Sequence, residues 1–153
     1  MSYEISDCLQ KDFQAGWHDL VHLFFNQCLA GNGTDQGIAN LRNIGKSLAQ
    51  LHPIGSSKTV QELEGNLNAK LSYFNWGFVR IAPAQTELIL AHCAWPHAPK
   101  RNDEPKWRLA SACILEGAYS QWLVSQGGDG KLPVIWEERN TQDVLLFRYA
   151  NQG

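Results

Sequence analysis

The stretch "NLNAKLSYFNWGFVRI", Asn66 to Ile81, changes period halfway along. Up to Phe74 the apolar residues recur at helical steps: Leu67, Leu71, Phe74. Beyond Gly77 the spacing is that of a strand. The spacing predicts a helix that ends near Asn75, because Gly77 can take the left-handed conformation a C-terminal cap needs. Trp76 stands at the corner and anchors the helix end against the sheet. A helix that feeds directly into an extended run decides the fold class.

Upstream, Thr59-Val60-Gln61-Glu62 has the Thr-x-x-Glu spacing of a capping box, so this helix starts there, with Val60, Leu63, Leu67, Leu71 and Phe74 inward. "LHPIGSS" before it is a loop. Thr34 or Asp35 caps an earlier helix with Ile38, Leu41, Ile44 and Leu48 inward. Residues from about Ser6 to Ala30 form a first helix, with Trp17, Leu20, Val21, Phe24 and Cys28 on its inner face.

Downstream, "FVRIAP" and "TELILAHCAW" flank a turn around Pro83-Ala84-Gln85 and read as a hairpin. Asp103 caps a fourth helix, Pro105 suits its first turn, and it runs to about Gln126. "PVIWEER" and "DVLLFRYA", joined by Asn140-Thr141-Gln142, form a second hairpin. The predicted fold is α+β, with N-terminal helices, then hairpin-helix-hairpin. The hairpins form a four-stranded antiparallel sheet with helices packed on one face.

The fourth helix carries Arg108, Ser111, Glu116, Ser120, Gln121 and Ser125 scattered around its axis. A helix apolar nearly all round is buried nearly all round. In a small chain this suggests cover by other subunits.

The 153 residues suit one domain, 1–153, with residues 1–30 as its variable helical N-terminal region. Charged residues make up 18%, below the usual quarter, and the net charge is 13 − 15 = −2. That argues against a nucleic-acid or anionic-membrane binder. Apolar runs such as "LVHLFF" are too short to span a membrane. The start, "MSYEISDCLQKDF", lacks a basic segment followed by an apolar one, so no signal peptide is expected. The expected location is the cytoplasm, with the periplasm as alternative, and Cys8, Cys28, Cys93 and Cys113 are expected as reduced thiols.

No constellation reads as a catalytic or metal centre, and no cofactor is implied. His92, Cys93 and His97 contain zinc-type donors, but neighbours on a strand point to opposite faces. Glu137 and Glu138 cannot flank one glycosidic bond for the same reason. Glu116 interrupts the most apolar helix and needs a partner if buried, so an ion-paired or interface role is favoured over catalysis. "AGNG" lacks the Lys-Ser/Thr of a phosphate loop, and no Gly-x-Ser-x-Gly elbow is present. Of six tryptophans, Trp76, Trp107 and Trp122 read as packing residues, while Trp17 and Trp95 are open to other uses.

Two segments carry a resemblance. "LNAKLSYFNWGFVRI" and "WRLASACILEGAYSQWLVSQ", with Leu115-Glu116-Gly117, Tyr119, Trp122, Ser125 and Gln126 at matching spacing, resemble the cellulose synthase operon protein D family, the small D subunit of bacterial cellulose synthase. The closing "DVLLFRY" is similar too, and the likeness covers roughly Gly37 to Tyr149. The resemblance implies a non-catalytic accessory subunit. It implies a homo-octamer built as a tetramer of dimers, with passages proposed to guide glucan chains. The other synthase and secretion subunits are implied partners, and contact with glucan is a further implication. Asn75, Trp76 and Gly77, and Glu116, Gly117, Tyr119 and Trp122, are then framework or oligomer-interface residues; no sugar-binding residue carries over. With no export signal expected, the resemblance points to a cytoplasmic scaffold. Two other readings compete. The helix-hairpin-helix-hairpin order also looks like vinyl-reductase-type and vesicle-tethering ligand-binding domains, which predicts a closed apolar pocket between helices and sheet. An enzyme acting on glucan predicts two carboxylates about 5 to 10 Å apart in an open cleft.

Overall fold

The computed structural model describes residues 16–30, 34–127, 134–137 and 144–150. A first helix, α1, is described over 16–28. It is followed by α2 (Thr34–Leu51), α3 (Val60–Phe74), β1 (Phe78–Pro83), β2 (Glu87–Cys93), a single 3-10 turn (Arg101–Asp103), α4 (Glu104–Ser125), β3 (Ile135–Glu137) and β4 (Val144–Ala150). The strands form one antiparallel sheet in the order β1-β2-β4-β3, so the fold is the expected α+β arrangement. The predicted start of α1 before residue 16 and the turn Asn140-Thr141-Gln142 lie outside the described residues.

The sheet has two unlike faces. On one, Ile81, Leu90, Phe147 and Trp136 form a cross-strand row, and Val79, His92 and Leu145 form the next. These pack on α4, where the Tyr119 ring meets Phe147 at 5.3 Å. On the other face, rows Arg80-Ala91-Leu146-Glu137 and Ala82-Ile89-Arg148-Ile135 contain no buried residue.

α3 begins as the capping box predicts: Glu62 N–H donates to Thr59 Oγ1 at 3.1 Å. The Glu62 carboxylate reaches one residue further back than expected, accepting from Lys58 N–H at 2.7 Å. At the other end the cap differs. Asn75 itself is left-handed (φ 59°, ψ 41°), which Asn tolerates better than most residues. Gly77 (φ 85°) serves the next turn, where an added Cβ would lie 2.0 Å from the Cys93 carbonyl oxygen. The corner therefore uses both residues, and Gly77 lets the start of β1 touch the end of β2.

Three expectations are corrected. α1 turns His22, Phe25 and Leu29 inward and leaves Trp17, Leu20, Leu23 and Phe24 exposed, so the predicted inner stripe is rotated. In α2 the inward residues are Gly37, Leu41, Gly45 and Ala49, while Ile44 is exposed. Small residues win there because backbones meet: a Cβ on Gly45 would lie 1.8 Å from the Ile114 carbonyl oxygen, and one on Gly37 would lie 1.6 Å from that of Cys28. Asp103 precedes α4 without a side-chain cap bond and faces His22 Nε2 instead, at 3.1 Å.

α4 is the central element, as its sequence suggested, but its cover comes from one chain. Trp107 packs on Phe25 of α1 (4.8 Å between rings), Gly117 on α2, and Tyr119 on the sheet. Eleven of its residues are buried with no second subunit present, so its all-round burial does not itself require an oligomer.

Candidate functional site

A cleft of about 620 Å³ opens between α1, the corner after α3, the end of β2 and α4. Its floor is Phe25, Trp107, Ile114 and Leu115 with Trp95 and His92, all buried. Its rim includes Trp17, exposed by half, and the exposed Asn75. Ala94, with φ 61°, precedes Trp95 in the left-handed region, where a Cβ costs about 1–2 kcal/mol. The aromatic walls are tied at their polar ends. Trp107 Nε1–H donates to the Pro96 carbonyl at 2.6 Å, and His18 Nε2 bonds the His97 carbonyl at 2.7 Å. Among the described lining residues none is Asp, Glu, Lys or Arg.

His92 forms the polar floor. Its Nε2 lies 2.7 Å from the Trp76 carbonyl oxygen, which only accepts, so Nε2 carries the proton. Nδ1 then accepts from the Tyr119 hydroxyl at 2.5 Å. This network suits a neutral imidazole only. Burial pushes the His92 pKa down to about 4, and the Trp76 carbonyl partly opposes the shift. Burial, helped by Cys93, holds the Tyr119 hydroxyl protonated well above its ordinary range.

The other sequence-selected residues sit in the framework. Glu116 is 6% exposed and fully engaged: Oε1 accepts from Arg42 Nε at 3.0 Å and Oε2 from Trp136 N–H at 2.8 Å. It joins α2, α4 and β3, which is the partner a buried carboxylate needs. Burial first, and the Glu116 charge second, raise the neighbouring Cys113 thiol to about 11. Gly117 lies against Arg42, where a Cβ would be 1.9 Å from the carbonyl oxygen. Trp122 is 1% exposed and donates Nε1–H to the His52 carbonyl at 2.9 Å. Asn75 and Trp76 edge the cleft and Gly77 follows outside its lining; the structure joins Trp76 to Tyr119 through His92 and leaves Glu116, Gly117 and Trp122 apart from the cleft.

His92, Cys93 and His97 do not converge, and no group of metal-binding side chains occurs among the described residues. Glu138 lies outside them. The sequence did not reveal the cleft itself; its only signal was that Trp17 and Trp95 stayed open to uses other than packing.

The sheet edges are covered by side chains. Asn68 of α3 imitates a strand: Oδ1 accepts from Val79 N–H at 2.7 Å and Nδ2 donates to the Val79 carbonyl at 3.0 Å. Glu64 accepts from Ile81 N–H at 2.8 Å. On the opposite edge, Glu116 takes the Trp136 N–H. Such covering blocks edge-to-edge strand pairing. Large apolar side chains are exposed on the outer side of α1, at Trp17, Leu20, Leu23 and Phe24, and at Phe78 and Ile135 on the outer sheet face, which also carries Arg80, Glu87, Glu137 and Arg148.

The sequence profile of the cellulose synthase D subunit matches residues 5–150. Cellulose synthase operon protein D of Komagataeibacter xylinus is 30% identical to this chain over 106 residues, 68% of this chain and 67% of that protein. The protein of the same name from Komagataeibacter sucrofermentans matches to the same extent, and another from K. xylinus is 26% identical over 106 residues.

Proposed function

Because this chain belongs to the family of cellulose synthase D subunits, and so has a role in bacterial cellulose synthesis, we propose that it serves there as a non-catalytic scaffold that assembles with itself. The observation that carries this reading is the distribution of uncovered apolar surface. Both sheet edges are closed by Asn68, Glu64 and Glu116, while an apolar helix face on α1 and a mixed sheet face, with Phe78 and Ile135 beside the Arg148–Glu87 ion pair, are left open. Exposed apolar surface such as Trp17, Leu20, Leu23 and Phe24 present on α1 marks an interaction site. Two separate faces per chain suit an assembly larger than a dimer, since one two-fold face alone closes at two subunits.

The proposed assembly is a ring of eight built from four dimers, in contact with other synthase subunits and with glucan chains along its passages. A cytoplasmic location is part of the proposal. It draws support from Cys28, Cys93 and Cys113, which are free thiols. The non-catalytic assignment draws support from the cleft, whose described lining holds no carboxylate for the two-carboxylate chemistry of glucan hydrolysis. The alternative, a small-molecule-binding domain, rests on a different observation, the cleft's uncharged aromatic lining.

Light scattering coupled to size exclusion tests the assembly. The wild-type chain of 17.2 kDa is expected to elute at about eight times that mass. Leu20→Asp with Phe24→Asp puts two charges on the outer side of α1 and is expected to yield smaller species with an unchanged circular dichroism spectrum. A wild-type mass of one chain at micromolar concentration overturns the reading.

A further inference from the structure

Self-assembly leaves open which surfaces meet and in what orientation. We propose that the outer face of the sheet is a self-complementary interface, on which the same face of a second copy packs about a two-fold axis parallel to the strands. The inference rests on the scaffold reading and assigns one of its contacts.

The sheet can meet a partner only through this face. Asn68, Glu64 and Glu116 close its edges, and α4 occupies its inner side. A solvated face of an antiparallel sheet is normally polar. Here the outward positions of the two central strands are mostly apolar and half-buried: Ile89, Ala91 and Cys93 of β2, with Val144 and Leu146 of β4. Arg148 is the charged residue among them, and Glu87 holds its guanidinium at 2.7 Å. On the outer strands stand Arg80 of β1 and Glu137 of β3. An apolar middle with charges at the rim is the anatomy of a protein interface.

The order of residues across the sheet identifies the partner. In a two-fold contact, residue i meets residue j of the copy while j meets i. An axis along the strands, between β2 and β4, sets β1 opposite the copy's β3 and β2 opposite its β4. The row Arg80-Ala91-Leu146-Glu137 then faces itself reversed. Arg80 meets Glu137 at both ends, and Ala91 meets Leu146 twice in the middle. In the next row, Ala82-Ile89-Arg148-Ile135, Ala82 meets Ile135 and the aliphatic stem of Arg148 lies on Ile89. Opposite charges and small-against-large pairs therefore match throughout both rows. The other two-fold in the plane, across the strands, sets each strand against its own copy, so no arginine of β1 comes near a carboxylate of β3.

Arg80 lacks such a partner in the single chain. Its guanidinium stands 5.7 Å from the centre of the Phe78 ring, and no described carboxylate forms an ion pair with it. Its own Glu137 is three strands away, about 14 Å at the usual strand spacing. Facing sheets lie about 10 Å apart, a gap that an arginine and a glutamate together span.

The test is light scattering of the full-length protein over a concentration series, with the melting temperature of each variant measured. Arg80→Glu and Glu137→Arg each set like charges at both ends of the contact, and each is expected to raise the concentration at which half the chains are assembled by about tenfold or more. Combined in one chain, the two restore opposite charges and are expected to bring that concentration back toward the wild-type value. Arg80 and Glu137 are too far apart for such rescue within one chain, so it reports the contact between copies. Should Glu137→Arg fail to fold, Ile135→Asp, at a position 59% exposed in the single chain, decides in its place with the same expectation. Assembly of the folded single variants at the wild-type concentration, or a combined variant no better than the single ones, overturns this interface and leaves the scaffold reading standing. A wild-type chain that stays single overturns both.

Discussion

Acidification isolates the contribution of His92. In the folded protein its pKa lies near 4 against an ordinary 6.5, chiefly because it is buried, and its two nitrogens are matched to a neutral ring. The folded pKa is depressed, so the unfolded chain takes up this proton first as pH falls. Stability from this group is complete above pH 6.5 and is lost as pH falls toward 4. The full gap of 2.5 pKa units corresponds to about 3 kcal/mol, of which about 2 kcal/mol has gone by pH 5. Other groups also titrate in this range, so the measurement is a difference between two proteins. His92→Gln keeps a donor for the Trp76 carbonyl and an acceptor for Tyr119, and it does not ionise. Urea unfolding followed by tryptophan fluorescence at pH 7.5 and pH 5, at matched protein concentration, gives the stability loss of each. The wild type is expected to lose about 2 kcal/mol more than the variant. The His92 ring resonance in an NMR titration should shift little above pH 5 and reach its midpoint near pH 4. Equal losses in the two proteins, or a His92 midpoint near 6.5, would refute the argument that this imidazole is held neutral.

Two further substitutions test the packing. Trp122→Ala removes an indole that is 1% exposed and leaves the His52 carbonyl unpaired, so thermal melting should show a loss of about 3–5 kcal/mol; a wild-type melting temperature would contradict the burial. Gly117→Ala should destabilise by about 1–3 kcal/mol in urea, because its Cβ meets the Arg42 carbonyl, whereas Gly65→Ala, with open space around it in α3, should stabilise by about 0.5–1 kcal/mol; equal effects would contradict the close approach of α2 and α4.

The helices and strands were legible in the chain alone, because what defines them is local. The change of period at Asn75 to Phe78, the Thr59-Glu62 capping box and the two alternating runs each lie within a few residues, and all appear where they were expected. Even the central place of α4 could be read from its lack of a polar side. Which face of each helix turns inward was settled only by packing. α1 has apolar residues on two faces, so its stripe pattern fits two rotations, and only Trp107 on α4 selects the one with Phe25 inside. α2 packs through Gly37 and Gly45, and a glycine carries no hydrophobic signal although it permits the closest contact. The cleft and the paired Glu116 lay beyond local reading for a related reason. Their parts lie far apart in the chain, from Trp17 to Trp107 and from Arg42 to Trp136, and no local pattern records a distance that only folding sets.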